Sequence, residues 1–353
     1  VSRRAPRRTG TPALDLLIEQ ILDASGATAN RDQLFEILVT ATRLAGGDAD
    51  RLDLKITNAA LKEMAAAFQV FAPYKDARKA TMFGSARTLP NDPLYAQARE
   101  MAAALARRGW MVVTGAGPGI MAAGMEGAGR DMAFGVNIRL PFEQGANAFI
   151  AQDPKLVEMK YFFTRKLMLM KESDGFVVLP GGFGTLDEAF ELLTLLQTGK
   201  AEPAPLVLLD VPDGTYWQGW ERFLSEEVAA RGLVSSDDWS LWRITDDVNE
   251  AVEEVIGFYG NYVSSRWVGD VLVIRLRRAP SPQELEVLNA EFSPLCRTGG
   301  IEPTDALAAE VAEGDQLDLP RLALRFDRIQ YGRLRELINA LNRLKTDDRR
   351  DDA

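Results

Sequence analysis

The sequence predicts an α/β protein. A Rossmann-like, doubly wound parallel sheet carries an N-terminal helical extension and a small C-terminal α+β domain. Three observations point there. Between about residues 78 and 262, strand-like runs alternate with helix-like runs; the strand-like runs are ATMFGSA, WMVVTGAGPG, AFGVNIRL, GFVVLPGG and PLVLLD. These runs stay apolar instead of alternating, which marks strands covered on both faces. Three of them end in glycine-rich turns: FGSAR at 83–87, TGAGPG at 114–119 and PGGFGT at 180–185. In such sheets the carboxyl ends of the strands border the crevice where ligands bind.

The elements follow in order. Residues 1–77 form an arm and a helical extension. The first ten residues are basic and contain Pro6, and read as an arm. Within 12–72, Leu14, Leu17, Ile18, Ile21 and Leu22 recur at helical spacing. A second helix is expected over about 51–71, with Leu61, Met64, Ala65 and Phe68 on one face, after a break at Gly46, Gly47 and Asp48. The Rossmann-like region, 78–262, holds expected helices at 93–108, 119–130, 154–172, 184–198, 216–231 and about 247–260. Gly109 and Gly199 stand where helices commonly end. In the region 263–345, DVLVIRL and LPRLALRF read as strands, and 281–292 and 330–344 as helices. Residues 346–353 are a charged tail.

Composition removes several classes of chemistry. The 353 residues carry a net charge of −10, which argues against a nucleic-acid partner. A single phosphate can still be held by backbone amides in an acidic protein. No apolar run reaches the roughly 18 residues of a membrane span, so no membrane partner is expected. Asp15, Glu19 and Gln20 interrupt the apolar part of the opening stretch, which reads as an amphipathic helix and not a secretion signal. A cytoplasmic location is the expectation. The only cysteine is Cys296, so neither an internal disulfide nor a cysteine-cluster metal site can form. There is no histidine. That excludes Ser-His-Asp and Cys-His nucleophiles, HExxH zinc sites and any histidine base. No acidic cluster has the DxDxDG spacing. No metal and no cofactor are expected, and chemistry must run on carboxylates, Lys, Arg, Tyr, hydroxyls or backbone dipoles.

The turns supply the candidate residues. Gly181, Gly182, Gly184 and Thr185 would offer amides and a hydroxyl at the positive end of a helix. Gly84, Ser85, Gly115, Gly117 and Gly119 lie on the same rim. Each turn taken alone could need glycine only for its tightness; three on one rim favour a ligand. TGAGPG lacks the GxGxxG pattern with a following acidic residue, and the next strand offers Asn137 and Arg139 instead. It also lacks a Walker GK[ST] ending, so a mononucleotide or other phosphorylated ligand fits better. Asp187 and Glu188 open the helix after PGGFGT, and Glu188 shares an edge with Glu191. Acids in a first turn also serve the helix dipole alone. The helix YFFTRKLMLMKES carries Arg165, Lys166 and Lys171, either as a solvated face or as a border of the crevice. An arginine there would hold a phosphate or carboxylate by its planar fork.

TGAGPGIM, YFFTRKLMLMK and LPGGFGTLDEAFELLTLLQTGK together resemble the LONELY GUY family of cytokinin riboside 5′-monophosphate phosphoribohydrolases. FGSAR and GVNIRLPFEQ are similar to its longer bacterial branch, and the resemblance covers roughly residues 78–260. It implies a Rossmann-like fold and hydrolysis of the N-glycosidic bond of a purine 5′-monophosphate, with adenine or an N6-substituted adenine as base. The products would be free base and ribose 5-phosphate. The family's catalytic pair corresponds to Arg165 and Glu188, and its phosphate loop to Gly181, Gly182, Gly184 and Thr185. Lys166, Asn137 and the other turn residues join them as candidate substrate contacts. A homodimer or larger homo-oligomer is implied. The chain departs from the family pattern at Phe163-Thr164, where many members have His-Glu. It also has Ala116 in the second glycine place of the TGGG turn, and Ala122 and Gly124 where Glu and Asn are common in the longer branch. Proteins of this family are often labelled lysine decarboxylases, a pyridoxal-phosphate chemistry that would need a histidine beside its lysine. The alternative reading is a carrier of a nucleotide or molybdenum-type cofactor, or an AMP sensor, without turnover.

Overall fold

The computed structural model describes residues 8–139 and 145–344. Most of the basic arm, the LPFEQ part of GVNIRLPFEQ and the charged tail lie outside the described residues. The chain divides into two compact units, Val1–Lys62 and Glu63–Ala353.

The smaller unit is helical. Helix α1 spans Pro12–Ala24 and α2 spans Arg31–Ala45. The sequence reading placed no break between them; the structure does, at SGATAN. There Gly26 (φ +71°) and Asn30 (φ +52°) take left-handed conformations that stop one helix and start the next. Only Ile18 and Leu22 of the expected α1 face are buried, with Phe35 and Val39 of α2, while Leu14, Leu17 and Ile21 stay exposed. Helix α3, Arg51–Phe71, continues into the larger unit.

Among the described residues the larger unit is built on seven parallel strands: β1 Lys79–Phe83, β2 Met111–Thr114, β3 Ala133–Ile138, β4 Leu156–Met159, β5 Gly175–Val178, β6 Leu206–Leu209 and β7 Arg243–Thr245. Their order is β4-β3-β2-β1-β5-β6-β7. Six helices connect or follow them: α4 Pro93–Arg107, α5 Ile120–Ala128, α6 Phe162–Lys171, α7 Phe183–Gln197, α8 Tyr216–Phe223 and α9 Val248–Gly257. β1, β2, β5 and β6 are buried at every residue, as their apolar runs required. The chain begins at β1, moves outward to β4, then returns to place β5 on the other side of β1. This reversal makes β1/β5 the switch point, where the loops after the two strands diverge and leave a crevice.

Two expected helices differ. Residues 154–172 are not one helix: Leu156–Met159 is the edge strand β4, with Gly135 to Ile138 opposite Leu156 to Met159. Val157 and Met159 are buried and Glu158 exposed, the period-2 pattern of a strand. The 216–231 helix is regular only to Phe223, then winds through a π turn and a 3₁₀ turn to Gly232 at φ +69°.

Beyond α9 lies an antiparallel sheet ordered β10-β11-β9-β8. Its strands are β8 Tyr262–Val268, β9 Val271–Leu276, β10 Glu302–Thr304 and β11 Arg321–Leu324, with α10 Pro282–Phe292, α11 Ala308–Glu313 and α12 Tyr331–Asn342. One buried cluster runs from Val252 and Val255 of α9 through Phe258 and Tyr262 to Ile274, Leu322 and Leu337. The appended sheet therefore shares a core with one face of the parallel sheet. No helix among the described residues is long and apolar enough to cross a membrane.

Candidate functional site

A cavity of about 630 Å³ opens at the carboxyl ends of β1, β2 and β5. The turn after β1 contributes Gly84 and Ser85, the turn after β2 Gly115, and the turn after β5 Gly181 and Gly182. Arg165 enters from α6, and Gly184, Thr185 and Glu188 from the first turns of α7. The β1/β5 switch point thus gathers these sequence-predicted residues in one place.

The floor is the start of α7. Its first intrahelical bond runs from Leu186 N to Gly182 O at 3.1 Å. The amides of Phe183, Gly184 and Thr185 precede that bond and have no acceptor one turn back. They give the cavity a positive helix end. Gly181 must be glycine, because a Cβ there would lie 2.2 Å from Thr185 Oγ1 and 3.0 Å from Ser85 N.

Arg165 is held over the turn after β2. Its Nε donates to Val136 O at 3.0 Å. A Cβ on Gly115 would sit 1.9 Å from an Arg165 guanidinium nitrogen, so the arginine occupies the space this glycine leaves open. The Thr164 hydroxyl, buried beside it, donates to Glu63 Oε2 at 2.7 Å, and Glu63 Oε1 accepts Lys160 N at 3.1 Å. Glu63 thereby pins the start of α6, a role no local sequence pattern announces. Phe163 stacks on Tyr161 with ring centres 5.6 Å apart.

Glu188 is half-buried, and burial pushes its carboxyl above the usual glutamate value. Arg165 and then Lys166 pull in the other direction but do not outweigh burial. The charge of Arg165 thus favours the ionised carboxylate, yet the net shift is upward.

Four candidates lie elsewhere. Lys166 Nζ binds Asp187 at 2.6 Å and Glu191 at 2.7 Å, tying α6 to α7 outside the cavity lining. Burial alone would lower its ammonium, and Asp187 and Glu191 more than reverse that. Asn137 is buried on β3, away from the cavity. Gly119, at φ +66°, lets the turns after β1 and β2 touch: a Cβ would lie 2.2 Å from Ser85 O, which accepts Ile120 N at 3.0 Å. A Cβ on Gly117 would meet Met121 at 2.7 Å. Gly84, though at the cavity, has the same packing role against Ile120. Ala116, Ala122 and Gly124, where the chain departs from the family pattern, are buried outside the cavity lining. The reading missed Met121, Arg87 and two exposed aromatics, Phe162 and Phe183, which complete the wall and rim. Phe183 is 92% exposed beside the turn, and its place inside PGGFGT was the available signal.

A larger concavity, about 730 Å³, lies at the amino ends of β1, β5 and β6. Its central Arg78 is engaged by Asp174 at 2.5 Å, Val263 O at 3.2 Å and the face of Tyr259 at 3.9 Å. It has neither a glycine turn nor a helix N-terminus facing it, so the smaller cavity is the candidate site. Among the described residues no group of His, Cys, Asp and Glu could hold a metal ion.

The fold and site define an α/β protein with an anion-receptive helix start beside an Arg–Glu pair. Residues 115–255 match the family profile described as "Possible lysine decarboxylase". A cytokinin riboside 5′-monophosphate phosphoribohydrolase of Mycobacterium tuberculosis is 30% identical over 159 residues, 44% of this chain and 81% of that protein. The Mycobacterium marinum enzyme of the same name is 29% identical over 168 residues, covering 46% and 87%. An Arabidopsis thaliana enzyme of that name is 48% identical over 71 residues, 20% of this chain and 31% of the plant protein. The chain belongs to the LONELY GUY family of cytokinin riboside 5′-monophosphate phosphoribohydrolases. Among solved structures, the molybdenum cofactor carrier protein of Chlamydomonas reinhardtii is 20% identical with a TM-score of 0.35, over 50% of this chain and 94% of that one.

Proposed function

We propose that the protein is a hydrolase that cleaves the N-glycosidic bond of a purine nucleoside 5′-monophosphate, yielding free base and ribose 5-phosphate. The region 78–262 carries the reaction. The observation that supports this reading is the meeting of Arg165, Glu188 and the open amides of α7 at one cavity. The 5′-phosphate docks on residues 181–185, where amides and the helix dipole favour an anion. That places the ribose toward Glu188, one turn further along α7.

Cleavage breaks the C1′–N9 bond, and its electron pair leaves with the base. Positive charge develops on the sugar in an oxocarbenium-like state, which the fixed Glu188 carboxylate stabilises. Water then bonds to C1′ and gives a proton to Glu188, which returns it to solvent; the base takes its proton from water. Arg165 is always charged, so it positions phosphate or ribose and is not the acid. No metal or cofactor takes part in this scheme.

Membership of the family supports the phosphoribohydrolase class, with AMP and N6-substituted AMP as the first substrates to test. The implied homo-oligomer fits the exposed Phe162, Phe163, Phe183 and Phe190 on α6 and α7. Chromatography after incubating the protein with AMP, GMP and isopentenyl-AMP tests the reaction. Free base and ribose 5-phosphate are expected from the wild type and not from Glu188→Gln. Intact nucleotide bound in every sample would overturn the hydrolase and favour the carrier.

A further inference from the structure

Behind the PGG turn stands Tyr216, the first residue of α8. Its hydroxyl donates to the carbonyl oxygen of Gly181 at 2.7 Å, yet Tyr216 does not line the cavity. The carbonyl is therefore drawn away from the cavity. All peptide bonds among the described residues are trans, and a trans peptide points its C=O and N–H in opposite directions. We infer that Tyr216 is a positioning residue for the phosphate: by holding the Gly181 carbonyl back, it turns the Gly182 N–H toward the cavity as an anion donor. This rests on the phosphate site proposed above.

The anchor is itself braced. Asp210, buried at the end of β6, accepts Tyr216 N at 3.0 Å through one carboxylate oxygen and Val211 N at 2.9 Å through the other. The loop wraps so closely that a Cβ on Gly214 would lie 2.3 Å from the Asp210 carboxylate carbon. The Tyr216 ring meets Trp217 edge-on at 4.8 Å, and Trp217 is fully buried. The turn it restrains is the opposite case. Gly181 and Gly182 are adjacent residues without side chains, free to rotate the peptide between them. A flipped peptide would aim a carbonyl oxygen, and not an amide, at the phosphate. The consequence is specific to anionic ligands, whereas a general packing role would not be.

Tyr216→Phe keeps the ring and removes only the hydroxyl. Titration calorimetry with inorganic phosphate, together with steady-state kinetics on AMP, tests the inference. Phosphate affinity is expected to fall about three- to tenfold, the range of one hydrogen bond. KM for AMP should rise by a similar factor, with kcat changing less and the melting temperature holding within about 2 °C. Equal phosphate affinity in the two proteins would overturn the role of Tyr216 and leave the phosphate site standing. A fall in kcat with KM unchanged would also overturn it. Absence of phosphate binding by the wild type would overturn the phosphate site itself, and this inference with it.

Discussion

The two ends of the parallel sheet each hold a concavity with a carboxylate that burial pushes up: Glu188 at the carboxyl end and Glu202 at the amino end. Glu202 keeps contact with water along its groove but is crowded by protein on its other sides. The same helices border both, since α6 and α7 carry Arg165 and Glu188 near one end and Met170 and Leu195 near the other. The amino-end concavity is the larger, yet its central cation is already satisfied, and the helices facing it present their negative ends. The carboxyl end presents open amides, a glycine-cleared space filled by Arg165, and Glu188 beside them. What separates a site from a groove here is a helix start whose amides open onto the cavity beside a fixed arginine and a carboxylate, not volume.

The widest separation is expected from the two carboxylates. Glu188→Gln should lower kcat at least about 100-fold, the scale of removing a group that stabilises transition-state charge. Glu202→Gln should leave kcat and KM within about twofold, since it touches no part of the carboxyl-end cavity. Equal losses in both, measured on AMP turnover, would collapse the distinction between the two ends. Next in size is Gly115→Ala, whose Cβ would collide with the Arg165 guanidinium. Displacing that side chain by about 1 Å should cost roughly 10- to 100-fold in kcat/KM. Unchanged kinetics in this variant would remove Arg165 from the positioning of substrate.

Much of this site was legible because its parts are local. Fully apolar strands and the glycine turns that end them can be read by eye, and the resemblance selected Arg165 and Glu188. Other parts depend on neighbours distant in sequence. Lys166 looks like any basic helix residue; its partner Asp187 lies 21 positions away on the next helix. Tyr216 and Gly181 are 35 positions apart. Gly84 and Gly119 were read as ligand contacts because a missing Cβ serves a phosphate and a tight loop–loop approach equally well. The strand β4 hid inside a stretch of Lys, Leu, Glu and Met, residues that favour helix, and only the alternation of Leu156 to Met159 betrays it.

The raised Glu188 gives the carboxyl end a pH signature. Turnover needs the carboxylate ionised, so the acid limb of kcat/KM should have its midpoint above the ordinary glutamate value of 4.5. Stability follows the same proton. With a folded-state value above the unfolded one, Glu188 contributes stability that is fully present below about pH 4.5 and lost as pH rises through the folded value. Glu188→Gln does not suffer that loss. Its melting temperature should therefore exceed that of the wild type at neutral pH, with the gap closing in acid. A gap that widens in acid would reverse the sign of the shift and place Glu188 among the carboxylates stabilised by their partners.

The smallest effect sharpens the contrast between two turns on the same rim. Ala116, in the turn after β2, has φ +59° and is fully buried. An alanine in that conformation costs about 1–2 kcal/mol that glycine does not incur. Ala116→Gly relieves this strain but loses a buried methyl, about 0.8 kcal/mol, and frees the unfolded backbone by about 0.4–1 kcal/mol. The terms nearly cancel, so the denaturation midpoint should shift by less than about 0.5 kcal/mol equivalent. Because Ala116 stands outside the cavity lining, kcat/KM should stay within about twofold. The turn after β5, where the phosphate is proposed to sit, should be far less tolerant: Gly181→Ala would drive a methyl into Thr185 Oγ1 and Ser85 N. A tenfold change in kcat/KM from Ala116→Gly would mean that the turn after β2 shares the phosphate, and that its departure from Gly-Gly-Gly tunes the ligand and not merely the packing.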